Sequence, residues 1–265
     1  MSPEQPRKRK QASSLLRQAG AARRLRRAGG AERAAGGARC RYVAVIMDGN
    51  GRWARRRHLP IAAGHRAGAK ALRRFIEHAI DCELDEVTVY SFSSENWRRP
   101  GDEVRALMQL FVEQIESEVP EVQSKGVRVR FVGRRGGVDE ALLRRIDAAE
   151  AANPAEPRMT MYIAFNYGGR DELVDAARDA AAEALADGVA IDDEALRRHL
   201  YAPEMHDPEL LIRTSGEERI SNFLLWQLAY TELYFTDKLW PDFGPDDLDE
   251  ALAAYAARAR RFGGR

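Results

Sequence analysis

Residues 48–52 read Asp48-Gly49-Asn50-Gly51-Arg52, an acid and a base separated by two glycines and an asparagine, and Trp53 follows. Glycine lets the backbone come close to a ligand and leaves N–H groups free to point at an anion. A carboxylate beside such a cradle can hold a hard cation such as Mg²⁺. A tight Asp-Gly or Asn-Gly turn explains the same residues without any ligand. The segment has neither the Lys-Ser/Thr of a P-loop nor the spacing of a dinucleotide fingerprint, which excludes both.

Further clusters carry similar chemistry. Ser93-Ser94-Glu95-Asn96-Trp97-Arg98-Arg99 places neutral hydrogen-bonding groups beside cations. Capping of a helix beginning at Gly101-Asp102-Glu103 is the plainer use of that serine and asparagine, and Trp97 reads as a packing residue. Arg213 and Arg219, with Ser221 after Ile220, suit a diphosphate because guanidinium forks match phosphate oxygens. Ion pairs with Glu217 and Glu218 are the competing use. Glu232, within the apolar run LLWQLAYTELYF, must be paired, hydrogen-bonded or on metal. His65 follows glycine just before an expected helix over 66–82, where it serves as an anion contact or a cap. No cysteine nucleophile and no Ser–His–Asp arrangement accompanies these groups. Together they suit a substrate whose diphosphate group departs.

The elements that must position them alternate. Short β-branched runs lie at 42–47, 86–92, 127–132, 159–165 and 209–213, with a sixth near 233–236. Helical stretches lie at 66–82, 102–124, 139–152, 171–187, 192–200 and 246–260. Strand–helix alternation predicts one α/β domain over 40–265: a central, mostly parallel six-stranded sheet flanked by helices. Ligands of such folds bind outside the carboxyl ends of the strands. MDGNGRW, SFSSENWRRP, FNYGGRDE and IRTSGEERISNF all fall there.

Apolar content of 45% and charged content of 31% fit a soluble globular protein. No apolar run is long enough for a membrane span, and no secretory signal is legible. Cys40 and Cys82 form no disulfide framework and neither sits in a metal-ligand spacing, so a reducing cytoplasm is expected. Residues 1–39 hold eleven Lys/Arg against Glu4 and Glu32, a charge of +9; the chain's net +1 leaves −8 for the remainder. This basic stretch has too few large apolar residues to bury a core and reads as a disordered tail. A solvated extension is its plain reading, and peripheral contact with an anionic membrane is the sharper one. RKRK at 7–10 is too short a motif to argue for nucleic acid.

MDGNGRWA, GHRAG, FSSENWRRP, NYGGR, RTSGEERISNFLLWQLAYTELYF and WPDF together resemble the cis-prenyltransferases, the undecaprenyl diphosphate synthase family. The resemblance covers essentially all of 40–265. It implies Mg²⁺-dependent condensation of isopentenyl diphosphate with an allylic diphosphate, geranyl or farnesyl, to a cis-polyprenyl diphosphate that feeds a cell-wall lipid carrier. By motif position Asp48 is the metal-associated catalytic carboxylate, and Gly49, Asn50, Gly51, Arg52, His65 and Arg99 cradle the allylic diphosphate. Arg213, Arg219 and Ser221 hold isopentenyl diphosphate, and Glu232 is a second metal-linked carboxylate. Asn96, with Ser93 nearby, matches the proton acceptor; an unactivated amide is a poor base, so it is expected mainly to orient. Trp53, Ser94, Glu95, Trp97 and Ile220 lie in the same motifs and join the substrate-binding candidates. Arg261-Phe262-Gly263 resembles the family's C-terminal Arg-x-Gly, which implies a homodimer.

Two positions depart from the pattern: Ile61 stands where arginine is usual, and Glu218 where histidine is frequent. Arg56 or Arg57 is expected to compensate for the first. The resemblance also implies an apolar tunnel between sheet and helices, with Ser91 on its wall and Phe165 narrowing it or packing behind it. A synthase making only a few isoprene units is the alternative product class. Asp246-Asp247-Leu248-Asp249-Glu250 approaches an Asp-rich motif of the all-helical trans-prenyltransferases, but it follows Gly244-Pro245 and reads as an acidic first helical turn. A non-catalytic partner subunit would lack the acid and the cradle, whereas Asp48, Asn96 and Arg213 are all present.

Overall fold

The computed structural model describes residues 39–258. Six strands, β1 Tyr42–Ile46, β2 Glu86–Ser93, β3 Val127–Val132, β4 Met159–Tyr167, β5 Leu210–Arg213 and β6 Glu232–Phe235, form one sheet in the order β3-β4-β2-β1-β5-β6. Every pairing is parallel. The described helices are α1 Asn50–Arg56, α2 Ile61–Asp81, α3 Gly101–Ser124, α4 Glu140–Ala151, α5 Gly169–Asp187, α6 Asp193–Arg198 and α7 Pro245–Ala256. The α/β expectation holds, and its "mostly parallel" becomes wholly parallel among the described strands. The tail and Arg261-Phe262-Gly263 lie outside the described residues.

Alternation along each strand divides two cores. Val43 and Val45 of β1 face the larger one, with Phe75 and Ile76 of α2, Phe111 and Ile115 of α3, and Leu248 of α7. Tyr42, Ala44 and Ile46 face the other, with Tyr162, Tyr167 and Phe223. Parallel strands buried on both sides need such near-continuous apolar runs.

Two helix starts differ from the sequence reading, and both shape the site. Residues 50–56 are the helix α1, not a turn, and α2 begins at Ile61 rather than 66, so His65 lies inside a helix rather than ahead of one. Gly49, at φ 108°, reverses the chain into α1. Asn50 and Gly51 are poor helix formers, and packing outweighs that preference. A Cβ on Gly64 would lie 2.1 Å from the Asn50 carbonyl oxygen, and one on Gly68 would lie 2.2 Å from Asn50 Oδ1. The two glycines of GHRAG are therefore the surface of α2 on which α1 rests.

That contact gives a stability test by chemical denaturation. Gly64→Ala must part the two helices and is expected to cost about 1–3 kcal/mol. Gly51→Ala meets nothing within 4 Å and should be neutral or stabilise by up to about 1 kcal/mol.

Candidate active site

A cavity of about 610 Å³ opens where β1, β2 and β5 end. Its polar end includes Asp48, Gly49, Asn50, Gly51, Arg52, His65, Ser93, Glu95, Asn96, Arg99, Arg213 and Ser221. Its apolar end runs along Leu107, Phe111, Ile115 and Val119 of α3 and Met161 and Ile163 of β4.

Asp48 and Arg213 form the centre. Arg213 ends β5, paired in register with Ile46, and its side chain is only 4% exposed. Its Nη2 donates to Asp48 Oδ2 at 3.0 Å, and its Nη1 donates to the Ser221 hydroxyl at 2.7 Å and to the Arg219 carbonyl. Arg52 donates to Asp48 Oδ2 at 3.4 Å and to the Ser215 carbonyl at 2.8 Å. Burial alone would raise the Asp48 pKa, but the bond and charge of Arg213, then Ser215 and Arg52, outweigh it and hold the carboxyl below its usual range. Thr214 Oγ1 donates to the Asp48 carbonyl at 2.7 Å and fixes the backbone of the acid. Gly49 admits no side chain, since a Cβ would lie 2.9 Å from Leu239 and its φ is left-handed.

Beyond Gly49, α1 begins without a side-chain cap. The N–H groups of its first turn have no intrahelical acceptors, and their residues line the cavity. His65 lines the same cavity; burial first and then Arg99 depress its pKa, which keeps the imidazole neutral near pH 7. Arg99 pairs with Glu103 at 2.9 Å.

Ser93 and Asn96 lock one another in a capping box. The Ser93 N–H donates to Asn96 Oδ1 at 3.1 Å, and Ser93 Oγ accepts from the Glu95 N–H at 3.1 Å. The serine thus caps a 3₁₀ turn over Ser94–Arg98 rather than the α3 helix. With its carbonyl engaged, Asn96 presents its amide N–H groups as donors.

Six candidates are not brought to the cavity wall. Trp53 donates to Asp242 at 2.7 Å and lies under the Arg57 guanidinium. Ser94 donates to Asp171, and Trp97 donates to Asn166 while packing edge-on against Phe92, as a packing residue should. Arg219 is 60% exposed and pairs with Glu217, and Ile220 packs against the smaller core. Glu232 opens β6 level with Leu210, at the amino ends of the strands, and bonds Arg258 at 2.7 Å. The strand is parallel to β1, so its first residue and Asp48 fall at opposite ends of the sheet.

Sequence reading missed Arg55, which lines the cavity. Neither Arg56 nor Arg57, the two alternatives for replacing the arginine absent at Ile61, lines the cavity, and Arg57 turns to Asp242. Arg55 follows Arg52 by three residues, a same-face spacing that shows only once 50–56 is read as a helix. Ser91 lines the cavity as expected, although an irregularity after Tyr90 brings Phe92 to the larger core. Phe165 is not on the wall; it stacks at 4.3 Å behind Phe111, which is.

Glu95 and Glu103 also line the cavity, but Glu103 is paired with Arg99, and Asp48 by itself is a thin donor set for a metal. It suits a hard cation that keeps most of its coordination sphere for water and phosphate oxygens, which is the habit of Mg²⁺. On that ground the residues fit Mg²⁺ at Asp48, with Glu232 not beside it in this chain.

Residues 46–263 match the family model described as "Putative undecaprenyl diphosphate synthase". The chain belongs to this prenyltransferase family. It is 48% identical over 227 residues to an isoprenyl transferase of Nitrosomonas europaea, covering 86% of each chain. It is also 48% identical over 228 residues to the ditrans,polycis-undecaprenyl-diphosphate synthase ((2E,6E)-farnesyl-diphosphate specific) of Escherichia coli K12, covering 85% of this chain and 90% of that one. Its fold matches lavandulyl diphosphate synthase from Lavandula x intermedia, solved in complex with dimethylallyl diphosphate, with TM-score 0.82 and 36% identity over 85% of this chain and 98% of that one. The prenyltransferase assignment therefore stands on both sequence and fold. No helix among the described residues is long and apolar enough to cross a membrane.

The Asp48–Arg213 pair has a signed pH dependence. A carboxyl depressed in the folded state contributes stability above its unfolded pKa, near 3.9, and loses it as pH falls through the folded value. Asp48→Asn should cost about 1–3 kcal/mol at pH 7, and the gap to wild type should close in the acid range below about pH 4. Denaturant melts of both proteins across pH measure it; a gap that does not change with pH would contradict the pairing.

Proposed function

We propose that the protein condenses isopentenyl diphosphate with an allylic diphosphate and extends the product by cis-isoprene units. The observation that carries this reading is a single cavity with arginines and a carboxylate at one end and an apolar lining at the other. An anionic head and a growing hydrocarbon chain need those two environments. The farnesyl-specific relative favours farnesyl diphosphate as primer. The likeness to a synthase complexed with dimethylallyl diphosphate supports a second reading, a short product.

Arg52, Arg55, Arg99, the first-turn amides of α1 and neutral His65 would receive the allylic diphosphate. Arg213 and Ser221 would receive isopentenyl diphosphate. Mg²⁺ held through Asp48 would offset the charge of the departing diphosphate. As the allylic carbon–oxygen bond breaks, the double bond of isopentenyl diphosphate forms the new carbon–carbon bond and a proton is lost. Asn96, held through its carbonyl by Ser93, offers donors rather than a base, so it orients a diphosphate oxygen and the released diphosphate takes the proton. The apolar end would act as the tunnel for the chain. A homodimer, a lipid-carrier role in cell-wall synthesis and contact of the basic tail (1–39, ahead of the catalytic domain 40–265) with anionic membrane complete the reading.

Labelled isopentenyl diphosphate with geranyl, farnesyl or geranylgeranyl diphosphate and Mg²⁺ should give extended products, sized by chromatography. Asp48→Ala should lower turnover by about 100-fold or more while staying folded, since it removes an interaction with charge developing in the transition state. Near wild-type turnover would sink the assignment. Because Phe111 is the wall and Phe165 its backing, Phe111→Ala should lengthen the products more than Phe165→Ala. An identical distribution in an active Phe111→Ala protein would show that this wall does not limit growth.

A further inference from the structure

At the end of α2 far from His65, three side chains of different chemistry meet. His78 Nε2 lies 2.9 Å from Asp249 Oδ1, and Cys82 Sγ lies 3.7 Å from the same oxygen. All three ligand atoms lie within 4.8 Å of one another, and no other group of His, Cys, Asp and Glu converges this way among the described residues. His78 and Cys82 are four apart, at the last turn and C-cap of α2, so they share a face. Asp249 reaches them from α7.

We propose that His78, Cys82 and Asp249 form a site for a thiophilic divalent cation of the Zn²⁺ class that pins the end of α2 to α7. Zinc bonds of about 2.0–2.3 Å in tetrahedral geometry separate nitrogen, oxygen and sulfur ligands by roughly 3.4–3.6 Å. The observed spacings bracket that range, so small side-chain shifts seat the ion. A hydrogen-bonded trio alone needs no thiol, which is a weak donor at this length; a thiolate is what selects a soft metal. His78 is buried to 8% exposure while the Asp249 carboxylate is 35% exposed, which leaves the fourth position open to water. On binding, the thiol proton passes to solvent, and the proton through which Nε2 bonds Asp249 is exchanged through solvent for one on Nδ1, freeing Nε2 as the ligand. The site is some thirteen residues, about 20 Å of helix, from His65. It would stiffen the helix on which α1 rests without touching the cavity. Hard and soft cations would then sort on the molecule, Mg²⁺ to Asp48 and Zn²⁺ here.

The test uses the full chain, stripped with a chelator and titrated with Co²⁺ and then Zn²⁺. One equivalent of Co²⁺ should give a sulfur-to-cobalt charge-transfer band that Cys40→Ala retains and Cys82→Ala loses. Zn²⁺ should displace the Co²⁺, and Cys82→Ala should bind Zn²⁺ about 100-fold more weakly or worse. At a hundredfold excess over Kd, Zn²⁺ should raise the wild-type Tm by about 5 °C and leave Asp249→Asn unmoved. No charge-transfer band in the wild type, a band that survives in Cys82→Ala, or a wild-type Tm indifferent to Zn²⁺ would each overturn the proposal.

Discussion

A guanidinium buried at the end of β5 must be answered by an acid, and Asp48 at the end of β1 answers it. Removing one partner of such a pair leaves an uncompensated buried charge, which costs far more than the pair contributes. The constraint spreads outward. Asp48 is held by its backbone through Thr214 and Trp240, and Arg213 holds the following loop through Ser221 and the Arg219 carbonyl. The ends of two neighbouring strands thus place an acid and a cation side by side at the cavity.

That loop carries most of the unusual backbone. Ser215, Ser221, Asn222 and Leu224 all have positive φ, which costs of order 1–3 kcal/mol each for such residues. Strain of this kind persists only where the surroundings over-determine it. Here they do: buried Glu172 accepts from Tyr167, from Gln227 and from the Tyr201 N–H, while Tyr90 Oη donates to the Tyr167 and Ser221 carbonyls. Burial raises the Glu172 pKa, and the three donors oppose it. Tyr167 of this network belongs to the smaller core, with Tyr90 and Tyr201 packed against it, and that core thus acts as the support on which Ser221 is held toward Arg213.

The helix α1 joins the two sides. Its apolar content is low and its first residues disfavour helix, so only the flat glycine surface of α2 makes it worthwhile. Once formed, it turns Arg52 and Arg55 to the cavity and Trp53 with Arg57 outward to Asp242. A short segment that read as a loop becomes the element that sorts charge between the cavity and the surface.

The sequence by itself determined the strands, the parallel sheet and the four polar strand ends, because apolar period and β-branched runs are local properties of the chain. It also singled out Asp48, Asn96, Arg213 and Ser221, all of which line the cavity. The tertiary structure alone decided the rest. The helix over 50–56 exists through contact with glycines more than ten residues away, and with it came Arg55 and the outward turn of Trp53. Ser94, Trp97 and Ile220 share motifs with the cavity residues but face other neighbours, since adjacency along the chain does not specify side-chain direction in a turn. Glu232 went to the other end of the sheet because a parallel register puts the first residue of β6 beside the first of β5, and no local pattern encodes that register. Cys82 has no metal-ligand spacing in the sequence, because the carboxylate it shares with His78 arrives from α7, which only folding brings within reach.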